Sequence, residues 1–366
     1  MSRARTFADL ATASEANSLA SPNMVINGDM AIHQRVGTDT HNDKAVDQIQ
    51  LVKNNLDTAN FNTKHQSLGD IDPFADALEI TCTTADTSIG ANELIYLLKR
   101  FEAQNLQHLS FGSSLAKTTT LSFHVKSNLT GTFSVGLVTQ DGTARNIGST
   151  YTIDSANTWE KKIITFVGDP SATIANDNGN GLEMTFILAA GSNWTSTANS
   201  SWADYANGRL AHGHNVNIAS STSNEFYITG IQWELGSVAT PYKHETISEN
   251  LARCQRYFYA LNSNTSTSSF EFINATGYSA TQANAGIDLP VRMRATPTMT
   301  YGNSTGAYRF YRAGTNDSFD TLQDDSHSNM HLQFANNGGL SHTAGDAGSI
   351  QIRYGDGGFI NADSEL

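Results

Sequence analysis

The stretch Phe226-Tyr-Ile-Thr-Gly-Ile-Gln-Trp-Glu-Leu-Gly-Ser-Val-Ala-Thr-Pro-Tyr242 constrains the fold more than any other part of the chain. Strict alternation from Phe226 to Leu235 places Phe226, Ile228, Gly230, Gln232 and Glu234 on one side of a strand and Tyr227, Thr229, Ile231, Trp233 and Leu235 on the other. The second set is a core face. A slip of one residue would turn Trp233 out to water, so this strand fixes the register of its neighbours. The first set carries Gln232 and Glu234 near the strand's end, where Gly236 breaks it and Pro241 forbids further central pairing. The strand therefore closes a domain.

Upstream, short alternating runs recur with turn signals at intervals of roughly ten residues. Asn27-Gly28 predicts a turn or bulge. Ala77–Thr83, the first half of Leu94–Leu109, Leu121–Ser127, Phe133–Val138, Trp159–Val167 and Leu182–Leu188 read as strands, and Ala103–Leu109 as a helical turn. Thr130-Gly131 predicts that Leu121–Ser127 and Phe133–Val138 form a hairpin. Many short strands with few helices between them mean a sandwich or barrel. After Glu245 the spacing of Ile247, Leu251, Cys254 and Phe258 predicts a helix over 247–259. A Ser/Thr/Asn run follows, then a second β-rich region with strands expected at 270–275, 285–291, 298–301, 308–311, 330–334 and 349–354. At 366 residues there is chain enough for two domains.

Charged residues make up 16% of the sequence, and the net charge is −13. Nucleic acid and acidic membrane surfaces are thus poor partners; a neutral partner met by hydrogen bonds and stacking fits better. Cys82 and Cys254 lie too far apart in sequence to suggest a zinc motif or a disulfide scaffold, and read as two buried thiols. There is no apolar run of about 18 residues and no signal-peptide core, so neither membrane insertion nor the usual export route is expected. Residues 1–21 carry few large apolar side chains, among them Phe7 and Leu10, and read as an arm that docks on a larger assembly.

Five segments in order carry a family likeness: Asn27-Gly-Asp-Met with Gln34-Arg35, Phe101-Glu-Ala-Gln-Asn-Leu106, Leu121-Ser-Phe-His-Val-Lys-Ser127, Phe226–Gly236 and Cys254-Gln-Arg-Tyr257. Together they resemble the tail-fibre and virion-appendage proteins of bacteriophages, notably those of marine and cyanobacterial phages, over residues 22–260. Trp233 departs from the pattern, standing where those proteins generally have a smaller aliphatic residue. The resemblance implies a jelly-roll sandwich similar to carbohydrate-binding modules, usually trimeric, in a virion protein released by lysis.

Hydrolysis would call for paired carboxylates in a cleft, and Asp70 with Asp72 or Asp324 with Asp325 lie in loop-like sequence, so no catalytic residue is assigned. No cofactor is expected. His212-Gly-His214 and the Asn/Asp/Gly stretch 176–181 read as polar turns. Asp29 and Glu234 are the metal candidates, should the first and last strands pair. Glycan binding needs exposed aromatic faces beside hydrogen-bonding groups. Trp194, Trp202 and Tyr205 in a Ser/Thr/Asn-rich stretch are the first candidates, Tyr308 and Tyr311 the second. Leu251, Tyr257, Phe258 and Tyr259 on the expected helix are candidates for an oligomer interface.

The sequence thus predicts an all-β protein: a docking arm (1–21), a jelly-roll β-sandwich (22–245), a short helical joint (246–262) and a second, smaller β-sandwich (263–366). The expected function is non-enzymatic: a homotrimeric virion tail fibre or appendage that meets host surface polysaccharide and contacts other virion proteins through its arm. The alternatives are an adaptor or capsid decoration without host contact, and a polysaccharide depolymerase.

Overall fold

The computed structural model of the protein describes residues 23–35, 40–41, 43–261, 270–336 and 338–366. They form two compact units. One holds the described residues up to His33, those from 40 to Ile247, and Leu366; the other holds Gln34, Arg35 and Ser248–Glu365. Both are all-β.

The first unit is a jelly-roll sandwich of two six-stranded antiparallel sheets. Its strands are β1 (Thr40–His41), β2 (Gln50–Asn54), β3 (Asn60–Ser67), β4 (Asp76–Thr84), β5 (Leu94–Glu102), β6 (Thr119–Ser127), β7 (Gly131–Thr139), β8 (Arg145–Ile153), β9 (Glu160–Phe166), β10 (Asn180–Ala190), β11 (Ala203–Asp204) and β12 (Glu225–Leu235). One sheet has the order β1-β3-β4-β12-β6-β9, the other β11-β8-β7-β10-β5-β2. Inward residues of both, such as Phe123, Phe226 and Trp233 from the first and Phe133, Leu97 and Phe186 from the second, form one buried core. The expected hairpin of β6 and β7 is not formed. β6 pairs with β12 and β9, whereas β7 pairs with β8 and β10, because the chain crosses between sheets at Thr130-Gly131.

β12 is the strand that the sequence singled out, but its alternation does not run through. Its register against β6 slips by one residue between Thr229 and Gln232, a bulge with Gly230 at φ +61°. Parity flips there, so Phe226 and Ile228 before the bulge and Ile231 and Trp233 after it all face the core. Tyr227, assigned to the core face by alternation, is on the outside, donating its hydroxyl to Glu225 at 2.6 Å and lying 4.9 Å beneath the Lys126 ammonium. Only glycine fits the bulge, since a Cβ at Gly230 would stand 2.4 Å from Cζ of Phe74. The turn at Asn27-Gly28 lies against this bulge, with Ile231 N donating to Gly28 O at 2.8 Å.

The second unit is a smaller sandwich. It opens with a helix (Ile247–Gln255, begun in the first unit) and the strand β13 (Phe258–Leu261). There follow β14 (Phe270–Gly277), β15 (Ala283–Asp288), β16 (Thr298–Tyr301), β17 (Tyr308–Arg312), β18 (Thr315–Phe319), β19 (Leu322–His327), β20 (His331–Asn336), β21 (Ala347–Arg353) and β22 (Ile360–Asp363). A seven-stranded sheet, β18-β17-β21-β14-β15-β20-β19, and a three-stranded one, β13-β22-β16, enclose a core that includes Phe310, Phe334, Ile350, Met299 and Ile360. β18, β19 and β22 were not foreseen. The first two are polar strands at the sheet's edges, where one side of the ladder needs no partner and little apolar side chain is buried. The helix stops four residues short of the expected Tyr259, because Tyr257 N turns back onto Cys254 O at 2.9 Å and Phe258 begins β13.

Candidate functional site

The second sheet of the jelly roll has an outer face that is only partly covered. On β10, Leu182, Met184 and Phe186 point into the core, which leaves Glu183, Thr185 and Ile187 outside. β5 and β7 do the same, turning Tyr96 and Val138 out beside them. Three of the outward side chains, Leu94, Val138 and Ile187, are apolar, and Leu210 and Ala211 fold over them as a satellite cluster against which Trp194 packs. The chain that supplies this cover, residues 191–216, is pinned by Trp194 Nε1 to Asn92 O (3.0 Å), by Arg209 Nε to Asn146 Oδ1 (2.9 Å) and by the pairing of β11 with β8.

The cover stops before it reaches Glu183. What remains is a cleft of about 250 Å³ lined chiefly by Tyr96, Gln140, Glu183, Thr185, Tyr205 and Leu210. Tyr205 is held at its wall by a backbone bond from its N to Ala144 O at 2.8 Å, and its side chain is 38% exposed. Glu183 is fixed by three donors: Arg100 Nε (3.0 Å) and Asn180 Nδ2 (2.9 Å) on Oε1, and Gln140 Nε2 (2.9 Å) on Oε2. Burial, and after it the negative charge of Glu183, pushes the phenols of both Tyr96 and Tyr205 up. Both therefore keep their protons and serve as donors. Two phenol rings, an oriented carboxylate, an amide and a hydroxyl in one small concavity can stack on and hydrogen-bond a polyhydroxylated ring.

Of the first candidates, the structure brings Tyr205 to this cleft and Trp194 to its cover. Trp202 lies elsewhere, donating Nε1 to Val167 O at 2.7 Å with its ring edge-on to Phe111. Tyr96 and Glu183 were not singled out from sequence. The signal was present, since both are polar interruptions at outward parity in strands whose inward residues are apolar.

In the second unit Tyr308 is fully buried, stacked on Phe319 with its hydroxyl donating to Phe359 O at 2.6 Å. It belongs to the core, which removes it as a sugar-stacking face. Tyr311 is 44% exposed on the opposite side of β17. Tyr257 and Phe258 were expected to project from a helix, yet both are buried within the chain, with the Arg35 guanidinium 3.9 Å over the Phe258 ring. Tyr259, on β13, and Leu251 are half-buried. The aromatic helix surface expected of Tyr257, Phe258 and Tyr259 is thus absent, since the helix ends at Gln255, while Leu251 does lie on it. Phe7 and Leu10 lie outside the described residues.

Asp29 and Glu234 do not form a metal centre. Glu234 is buried under the loop 236–243, accepting from Thr240 N (2.8 Å) and Gln232 Nε2 (3.0 Å) on Oε1 and from Thr240 Oγ1 (2.7 Å) on Oε2. Its neighbour Gln232 accepts from Lys243 N at 2.9 Å. These polar groups hold the loop that leaves β12. Among the described residues no three His, Cys, Asp or Glu side chains gather as a metal site, and no helix is long and apolar enough to cross a membrane.

Comparison with protein-family models gives no match, nor does comparison with curated protein sequences. Solved structures do align. The enzymatically active domain of tailspike protein 4 of bacteriophage CBA120 aligns at 12% identity over 59% of this chain, with a TM-score of 0.32. This chain spans 22% of the length of that domain. A family 4 carbohydrate-binding module aligns at 14% identity over 59% of this chain and 100% of its own, with a TM-score of 0.29. The family 11 module of the Clostridium thermocellum cellulase Lic26A-Cel5E aligns at 13% identity over 56% of this chain and 98% of its own, also at 0.29.

Proposed function

We propose that the chain is a glycan-binding virion protein, a tail fibre or appendage, with the Tyr96–Glu183–Tyr205 cleft as its sugar site. The observation that carries this reading is the cleft itself: two tyrosine rings and a triply held carboxylate converge on one concavity at the edge of a fixed cover. Such a site is built to accept hydroxyl donors without reorganising. It has one carboxylate among its lining residues, and that group is engaged by three donors, which supports binding in preference to hydrolysis. The virion assignment is supported by the five ordered segments of the sequence. With it go a homotrimeric assembly, an arm at residues 1–21 for other virion proteins, and a host surface polysaccharide as the ligand.

The test is binding of labelled full-length protein to intact host cells, with periodate-treated cells as control. Saturable binding that periodate removes is expected. Tyr96→Ala and Tyr205→Ala should each weaken it roughly two- to twelvefold, the equivalent of about 0.5–1.5 kcal/mol of ring stacking. A folded double variant that binds as the parent does would remove the cleft from the account.

A further inference from the structure

We propose that the outer face of the seven-stranded sheet in the second unit is a separate saccharide surface, suited to a neutral polyhydroxylated chain. Ile273 and Ala275 on β14, Ala285 on β15 and Phe334 on β20 point into the core. The alternate residues Asn274, Thr276, Asn284 and Gln333 therefore face outward, and together with His331 they line an open groove of about 600 Å³. Its depth comes from Gly286, which pairs with the outward Gln333 and, having no side chain, leaves the floor low beside His331.

The polar groups in this groove are partly spoken for, in a way that aims the rest. Gln333 Nε2 and Asn284 Nδ2 both donate to Asp325 Oδ2, at 2.8 and 3.1 Å. This fixes the two amides and leaves the Gln333 carbonyl oxygen as an acceptor. His331 Nδ1 lies 2.8 Å from Asp288 Oδ1, so its Nε2 is the nitrogen turned over Gly286, where an added Cβ would come within 2.8 Å of it. Asn274 and Thr276 are exposed. An aromatic platform completes the face. Tyr311 pairs with Ser349, which pairs with Asn274, so the Tyr311 ring lies two strands, about 10 Å, from Asn274 on the same side.

The chemistry selects the occupant. Asp288 and Asp325 flank the groove and repel polyanions, including nucleic acid and acidic polysaccharide. Among the described residues no large apolar side chain lines the groove, whereas the centre of a protein–protein interface is made of such side chains. A neutral sugar chain needs what is present: amides, a hydroxyl, an imidazole nitrogen and a ring to stack on. The groove and the cleft in the first unit are carried by one polypeptide, so a polymer long enough to reach both would be bound bivalently.

The experiment uses the full chain on immobilised mixed-linked β-glucan, xylan and dextran, with carboxylated dextran as the anionic control. Four proteins are compared: the parent, Tyr96→Ala/Tyr205→Ala, Asn274→Ala/Tyr311→Ala/Gln333→Ala, and the combination, each checked for unchanged thermal unfolding. The expected result is that the groove variant loses tenfold or more of the apparent affinity for a neutral polymer. The cleft variant should retain weak binding that the combination removes. The inference is overturned if the groove variant equals the parent in both backgrounds, or if carboxylated dextran binds through the groove as well as dextran does. Loss confined to the groove variant would refute the cleft instead and leave the groove standing. Absence of binding by the parent to every polymer would overturn the groove inference, the cleft being judged separately by binding to host cells.

Discussion

Replacing Gly230 with alanine should destabilise the first unit through two separable effects. The residue sits at φ +61°, where an L side chain costs about 1–2 kcal/mol. The new Cβ would also stand 2.4 Å from Phe74 Cζ and 2.8 Å from Cε1, an overpacking of the kind that costs about 1–3 kcal/mol. The sum is about 2–5 kcal/mol. Gly236 supplies the control, because it too has positive φ (+101°) but nothing within 4 Å of an added Cβ, so Gly236→Ala should cost only the first part. All four tryptophans, Trp159, Trp194, Trp202 and Trp233, lie in the first unit, so urea melts followed by tryptophan fluorescence report that unit by itself. Adding Phe74→Ala should return the steric part in a double-mutant cycle, with a coupling of about 1 kcal/mol or more. Equal losses for Gly230→Ala and Gly236→Ala, with no coupling to Phe74, would refute the claim that the ring closes the bulge.

Other outcomes follow from buried groups. His214, 9% exposed with Nε2 2.7 Å from Val216 O, is held by burial down to a pKa of about 4. Its folded value lies below the unfolded 6.5, so the unfolded chain takes up the proton first. Stability from this group is complete above about pH 6.5 and is lost as pH falls towards 4, a slope that His214→Phe should flatten in pH-dependent melts. The indole Nε1 of Trp233 is buried without an acceptor among the described residues, while its ring packs on Phe101 at 5.0 Å. Trp233→Phe should therefore stay within about 1.5 kcal/mol of the parent, whereas Trp233→Ala costs about 3–5 kcal/mol, both read by far-ultraviolet circular dichroism in urea. The cleft and groove variants described above complete the set, with polymer affinity as their measure.

Much of the fold was legible because large apolar residues repeat at period two. Leu121, Phe123 and Val125, or Leu182, Met184 and Phe186, could be placed in a core from sequence alone. What escaped was long-range. Nothing near Thr130-Gly131 says that the flanking strands join different sheets, since the partners that claim them, β12 and β8, are set by the rest of the sandwich. A glycine within an alternating run gives no warning that parity changes at it, which is why Tyr227 was placed on the wrong face. Tyr308 and Tyr311 show the same limit in the second unit. They are three residues apart on one strand, so parity alone separates a core ring from a surface one. The cleft was half visible: the loop aromatic Tyr205 stood out in polar sequence, whereas Tyr96 and Glu183 were hidden among the apolar residues of β5 and β10.

The part of the segment 191–216 nearest the cleft meets the sandwich through Leu210 and Ala211 in a satellite cluster on its outside, while Trp202 and Val216 pack on the main core. That part can accordingly change without the inherited scaffold having to be rebuilt. Selection acting on the wall of the cleft would be working on an interchangeable part, and substitutions there can accumulate at a cost decoupled from that of the main core. On the reading proposed above, altered host recognition needs no new fold. It needs only a new lip on an old sheet.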